Sequence, residues 1–265
     1  MKNIAVLLPG IIRSYDNLEY INKIRELEHN NDYRFYFFGI SYDFKGSDTT
    51  AWHTQLDIDK NEKLDIDRVN SYNFTSFEVR TDIITTDTGG YDGRILGQWK
   101  LVYDCFNLAK QYSTKTDIKF DWMIRSRWDL KINCDKLKEV MEAGYTANVL
   151  SCIKYVTITD QSFMGPVDKM ETICSLVNHY YEYLSLSKFI EKTKEHQKNV
   201  KYIKENKHKF PRRVLRDRKN EFNLRFPAQS EHLLTHHIFT NFKWGHDAVN
   251  MKNKNKWWQL RNVRI

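Results

Sequence analysis

The order of segments along the chain predicts an α/β fold: a mostly parallel sheet flanked by helices on both faces, followed by a basic, helical C-terminal extension. Three observations carry this. Residues 4–8 are a short, continuous apolar run cut by Pro9 and Gly10, the pattern of a buried strand closed by a turn. Residues 33–41 (YRFYFFGIS) and 74–79 are aromatic and β-branched runs of strand length. Between the first two runs, Leu18, Ile21, Ile24 and Leu27 recur at helical spacing.

Further along, residues 85–93 (TTDTGGYDG) have the composition of a loop. Residues 94–112 then place Leu96, Trp99, Leu101, Val102, Cys105, Phe106 and Leu108 on a helical pattern. A strand is expected at 121–130, a helix at 134–143, extended chain at 147–158 and a long helix at 168–184. Residues 188–209 have helical propensity but a weak apolar period, which fits an exposed arm or an insertion. A last helix over 229–239 is introduced by Pro227 and capped by Ser230, and the chain runs out through NKNKWWQLRNVRI. No internal repeat and no Pro/Gly/Ser linker separates the halves. One domain is expected, with a core over 1–185 and an extension over 186–265 packed on it.

A chain of 265 residues with 41% hydrophobic content can bury a sizeable core, which argues against disorder. Cys105, Cys134, Cys152 and Cys174 are widely spaced, without a CxxC pair, so a reduced, cytoplasmic setting is expected rather than a zinc site or a disulfide framework. The first apolar run is too short for a signal peptide or a membrane span. Net charge is +8, yet residues 188–225 alone hold fourteen Lys and Arg against five Asp and Glu, and 252–265 hold five basic residues and no acid. The positive field is therefore regional, leaving the rest mildly acidic. It is either a solvated basic helix or a surface for acidic ligands or anionic lipid.

Ligands of open α/β sheets bind outside the carboxyl ends of the strands, and Asp129 falls at such an end. In 121–130, alternation sends Met123, Arg125 and Arg127 to one side and Trp122, Ile124 and Ser126 to the other. Arginines within an apolar strand need partners. These are phosphate oxygens, or core acids such as Asp121. Gly10 and Arg13 close the first strand; the glycine either admits a nucleotide to the backbone or serves only the turn, while the arginine suits phosphate or base. Asp160 precedes the small residues Ser162 and Gly165 and suits an acceptor base, a ligand of sugar hydroxyls, or a turn or cap residue. Glu231 is an acceptor-side carboxylate or a first-turn acid. His236, His237 and His246 are candidate metal ligands, His246 foremost. The Asp57-Ile58-Asp59 and Asp65-Ile66-Asp67 triplets lie in polar sequence and are discounted as metal motifs. Trp257 and Trp258 are expected to pack the tail onto the domain.

Four segments, LLPGIIRSY (7–15), GQWKLVYDCFNLA (97–109), MIRSRWDL (123–130) and TDQSFMGPVDKM (159–170), together with PAQSE (227–231), resemble glycosyltransferase-like proteins of bacteria and large DNA viruses. The order and approximate spacing cover residues 4–240, with 188–225 longer than usual. The resemblance implies a GT-A-like, Rossmann-like fold binding a nucleotide-sugar donor, with Gly10, Arg13, Gln98, Arg125, Arg127 and Asp129 around the nucleotide and Asp160 and Glu231 in catalysis. It implies a divalent metal, Mn2+ or Mg2+, on Asp129, and a glycan or glycoconjugate acceptor; His246 lies beyond the matching segments and is a further candidate ligand by residue type alone. Arg127 stands where the family's metal motif has its first Asp, so either one carboxylate holds the metal or Arg127 supplies part of its charge.

Two other classes compete. LPGIIRS (8–14) superficially resembles a phosphate loop of a kinase or sulfotransferase, but lacks the second Gly and the Lys-Ser/Thr end. A basic nucleic-acid-binding module would explain the charge cluster, but no helix-turn-helix, zinc or RNA-binding signature accompanies it, and no nucleic acid is expected as partner. If the basic segment is more than a solvated helix, it is expected to engage the acceptor or, peripherally, an anionic membrane surface rather than the donor.

Overall fold

The computed structural model describes residues 1–30, 32–46, 62–82, 93–128 and 162–184, with short pieces at 131–132, 134, 137, 153–154, 157–158, 230, 233–234, 237, 241 and 261–262. In chain order the strands are β1 (Lys2–Pro9), β2 (Tyr33–Tyr42), β3 (Phe44–Lys45), β4 (Glu62–Lys63), β5 (Ser76–Arg80), β6 (Trp122–Arg125), β7 (Lys131–Ile132), β8 (Ile153–Lys154), β9 (Thr157–Ile158), β10 (Phe163–Pro166) and β11 (Arg261–Asn262). Helices α1 (Glu19–Glu26), α2 (Ile66–Asn70) and α3 (Gly93–Thr116) lie between the early strands. Further helices follow at Val167–Cys174 and Tyr180–Leu184.

Five strands make one mixed sheet in the order β10-β6-β1-β2-β5. The contacts β1–β2, β1–β6 and β2–β5 are parallel, and β10 joins β6 antiparallel. The chain is thus α/β, with a mostly parallel sheet between flanking helices. Period-two alternation divides β1 between the two layers. Ile4, Val6 and Leu8 join Tyr20, Ile21 and Ile24 of α1 and Phe35 and Phe37 of β2. Ala5 and Leu7 join Trp99, Val102, Cys105 and Phe106 of α3 with Phe38 and Ile40. Burial on both faces is why the first strand reads as a continuous apolar run rather than an alternating one.

Handedness explains the two layers. From β1 to β2 to β5 the chain moves one way across the sheet, with α1 and Val69 of α2 on one face. From β5 to β6 it returns past β2 and β1, and a right-handed crossover in that direction needs the opposite face, where α3 lies. The last turn of α3 ends at Asp117, whose φ of 56° is the left-handed conformation that an Asp tolerates just past a helix.

Four expectations are corrected. The strand expected at 121–130 spans only Trp122–Arg125, because Ser126 and Arg127 already leave the ladder with β10. Within 147–158 the described residues form a separate pair, Ile153–Lys154 against Thr157–Ile158, and not a strand of the main sheet. The fifth strand is Phe163–Pro166, with Pro166 at its last position opposite Trp122, where an edge tolerates a residue without N–H. The long helix of 168–184 is α-helical over Val167–Cys174, 3-10 over Ser175–His179 and α-helical again over Tyr180–Leu184. Ser230 is itself helical, so it does not cap the last helix; its Oγ accepts from Trp99 Nε1 at 3.0 Å. Leu233 and Leu234 of that helix are buried in the α3 layer, one helical face from Ser230 and His237.

Candidate functional site

Because β1 sends its connections to β2 and receives β6 from opposite faces, the strand order reverses between β1 and β6, and the crevice outside their carboxyl ends is where such a sheet takes a ligand. The antiparallel β10 begins at this same edge, with Phe163 opposite Arg125. α3 also starts there and runs back down the sheet, so Gln98 and Trp99 in its second turn lie toward this edge. The Trp99 ring stacks on Phe163, centroids 6.1 Å apart and 9° from parallel.

The loop after β1 is pinned to the end of β2. Gly10 has φ of +121°, a conformation side chains rarely adopt, and its N–H donates to Ile40 O at 3.0 Å. The N–H of Ile12 reaches Ser41 Oγ at 3.4 Å, and Gly46 N–H donates to Ile12 O at 2.8 Å. A Cβ on Gly46 would lie 2.7 Å from Ile11 Cγ2 and 3.2 Å from Arg13 Cγ, so the loop carrying Arg13 rests directly on the Gly46 backbone. Beyond it, the Tyr15 hydroxyl accepts from Asp65 N at 2.7 Å, and the Arg68 guanidinium lies 4.7 Å from the Tyr15 ring centre. Asp65 caps α2, its Oδ1 accepting from Arg68 N at 2.9 Å, which gives that Asp-x-Asp triplet a structural role.

At the end of β6, Ser126 N–H donates to Leu7 O at 2.9 Å and carries the ladder with β1 one residue further. Arg125 is 1% exposed, with its guanidinium 5.0 Å from the Phe163 ring centre, and Arg127 is half-buried just beyond it. Asp121, named above as a possible partner for these arginines, sits at the other end of the strand, roughly 13 Å away at strand rise. There its Oδ2 accepts from Asn3 N at 2.8 Å. Gln98 Nε2 reaches Ser230 Oγ at 3.5 Å, tying α3 to the last helix.

Trp128 lies beneath this edge on the α1 face, where the sequence carried no signal for it. The indole is 2% exposed and stands edge-on to Phe74 and Phe77, at 5.7 and 6.1 Å between centroids. Its benzo end occupies the space left by Gly39: a Cβ there would lie 2.9 Å from Trp128 Cη2 and 2.6 Å from Phe77 Cδ2. Under the α3 face, burial pushes the Cys174 thiol up to about 12, against a smaller downward pull from Arg125, and pushes Cys105 up as well. The Tyr42 hydroxyl is raised to about 12 by burial, then by Asp82 and Asp104.

The structure therefore brings Gly10, Arg13, Gln98, Arg125 and Arg127 to one end of the sheet. Asp129, Asp160, Glu231 and His246 lie outside the described residues, as do 188–225 and the Asp57-Ile58-Asp59 triplet. His237, also considered as a metal ligand, is fully buried: Nε2–H donates to Thr172 O at 2.5 Å and Nδ1 accepts from the Tyr183 hydroxyl at 2.7 Å. Both ring nitrogens are thus used in joining the last helix to the Val167–Cys174 and Tyr180–Leu184 helices. Among the described residues no group of three His, Cys, Asp or Glu converges as a metal ion would require, and no helix is long and apolar enough to cross a membrane. No family model matches the chain, and no curated protein matches it significantly.

Proposed function

We propose that this chain is a glycosyltransferase moving a sugar from a nucleotide-diphosphate donor to a glycan, polysaccharide or glycoconjugate acceptor, on a GT-A-like form of the sheet. One observation carries the proposal. MIRSRWDL and TDQSFMGPVDKM, far apart in the chain, supply adjacent strands β6 and β10 that meet at the ligand-binding edge of the sheet, Arg125 opposite Phe163, beside the Gly10 loop. A leaving diphosphate needs its charge neutralised, and the arginines at this edge, Arg13 and Arg127, bring planar guanidinium groups suited to phosphate oxygens. A divalent metal held by Asp129, with His246 as a further ligand, would share that neutralisation. Asp160 takes the acceptor hydroxyl's proton or holds donor hydroxyls, and Glu231 faces the acceptor. The basic segment 188–225 engages acidic acceptors or the cytoplasmic surface of an anionic membrane, not the donor.

Thermal shift against a panel of nucleoside diphosphates, with and without Mn2+, tests the donor side. At least one nucleotide is expected to raise the melting temperature, with Asp129→Asn losing most transfer while keeping its fold. A chain that binds none of the nucleotides, or an Asp129→Asn variant with wild-type turnover, refutes the proposal.

A further inference from the structure

Trp128 poses a specific question. Its Nε1–H is buried and, among the described residues, has no hydrogen-bond partner. A donor cut off from water without an acceptor is a cost that folded chains avoid, and a well-packed phenylalanine would avoid it here. The surroundings do not explain it. Phe74 and Phe77, which pack against the ring, are purely apolar.

The other end of the ring faces Gly10. A Cβ built on Gly10 would meet, among the described residues, only Trp128 Cδ1, at 3.8 Å, and Cδ1 is the atom bonded to Nε1. The pyrrole edge of the indole thus lines the space that the missing Gly10 side chain leaves, at the carboxyl end of β1 beside the β1–β6 crevice. A glycine held at φ +121° keeps that space open, since other residues adopt this conformation only with strain. Two glycines frame the ring: Gly39 makes room for its benzo end, and Gly10 brings bare backbone to its pyrrole edge, above an N–H that is closed to solvent when no ligand is bound.

We propose that Trp128 is a ligand-binding residue, its Nε1–H donating to an acceptor oxygen of a nucleoside diphosphate that enters beside Gly10. This rests on the donor reading above. The acceptor is a phosphate oxygen or a carbonyl oxygen of the base, and both ask the same of the indole: one fixed donor, buried in the ligand-free state and reached when the Gly10 loop gives way to the ligand. Since an N–H to an anionic oxygen is among the stronger hydrogen bonds, its loss should weaken binding by about 10- to 100-fold.

Trp128→Phe removes the donor while keeping an aromatic ring between Phe74, Phe77 and Gly39. Calorimetry with the nucleoside diphosphate that best stabilises the wild type, with the matching nucleoside and with inorganic pyrophosphate separates the two oxygen sources. The variant is expected to keep its melting temperature and to lose affinity for the diphosphate and for whichever fragment carries the acceptor. In wild-type protein labelled at the indole nitrogens, the one resonance absent from Trp128→Phe should move on titration, a readout independent of the variant's fold. Equal affinity in wild type and variant, or an unmoved Trp128 resonance at saturating nucleotide, overturns the assignment and leaves the nucleotide site standing. A drop in melting temperature with unchanged affinity shows instead that the N–H serves the fold. Failure of the wild type to bind any nucleoside diphosphate removes the donor reading and this assignment together.

Discussion

Gly39→Ala is the most direct test of the packing beneath the candidate site. In the sheet Gly39 pairs with Phe77 of β5 and with Leu8 of β1, so it has neighbours on both sides. An added methyl would stand 2.6 Å from Phe77 Cδ2, 3.2 Å from Phe77 Cε2 and 2.9 Å from Trp128 Cη2, where carbon contacts ordinarily settle at about 3.5–4.0 Å. Each ring has to retreat by up to about 1 Å. Neither can do so alone, because Phe77 leans on Phe74 and Trp128, and Trp128 leans on Phe74. Overpacking of this kind costs about 1–3 kcal/mol. At ~2–4 °C per kcal/mol for a chain of this size, the melting temperature should fall by about 2–12 °C. Calorimetric unfolding measures it, and repeating the substitution in a Phe77→Leu background should recover much of the loss through a double-mutant cycle. A melting temperature within about 1 °C of wild type in the single variant would show that the two rings are not packed against Gly39, and the same result would weaken the framing of Trp128.

Two further outcomes are expected. His237→Leu removes the acceptor for Tyr183 and the donor to Thr172 O, so it should destabilise by about 1–3 kcal/mol and expose the last helix to limited proteolysis; a melting temperature that depends on added metal in wild type but not in this variant would refute the structural role. Tyr42 and Cys174 keep their protons in the folded state up to about 12, above the ordinary 10.0 and 9.0, so the unfolded chain ionises first and the folded state loses ground as pH rises from about 9 to about 12. The denaturation midpoint should therefore fall over this range, less steeply in Cys174→Ala, and an identical slope in that variant would contradict the buried neutral thiol.

The sequence revealed the sheet where burial was strongest. β1 and β2 were readable because both faces of each are covered, which writes continuous apolar stretches at 4–8 and 35–40. Leu18, Ile21 and Ile24 marked one helix layer for the same reason. β10 escaped because Met-Gly-Pro carries the composition of a turn, and only its place at an edge lets Pro166 end a strand. The end of β6 was misplaced by alternation that continues into Ser126 and Arg127 after the ladder with β10 has stopped. Arg125 was legible as a buried arginine, but its contact with Phe163 was not, since a cation over a ring leaves no mark in spacing. Gly39 and Trp128 show the same limit. A close approach between a strand glycine and a distant indole is set by the tertiary fold, and neither residue announces it locally.

The antiparallel pairing of β10 with β6 has a consequence for how such a chain can vary. The strand that leaves at Arg125 and the strand that returns at Phe163 stand side by side, so everything from 126 to 162 departs from and comes back to a single point on the rim of the sheet. The span begins with Ser126, Arg127 and Trp128 and ends against β10, so both of its ends are anchored at adjacent positions of the sheet. Lengthening it costs little, because each doubling of a closed loop adds only about 0.6 kcal/mol of entropy. Not all of the span is free to drift: Trp128 and Leu137 are buried in the α1 layer, so changes at those two positions reach the core, just as drift between β1 and β2 would meet a helix packed on it.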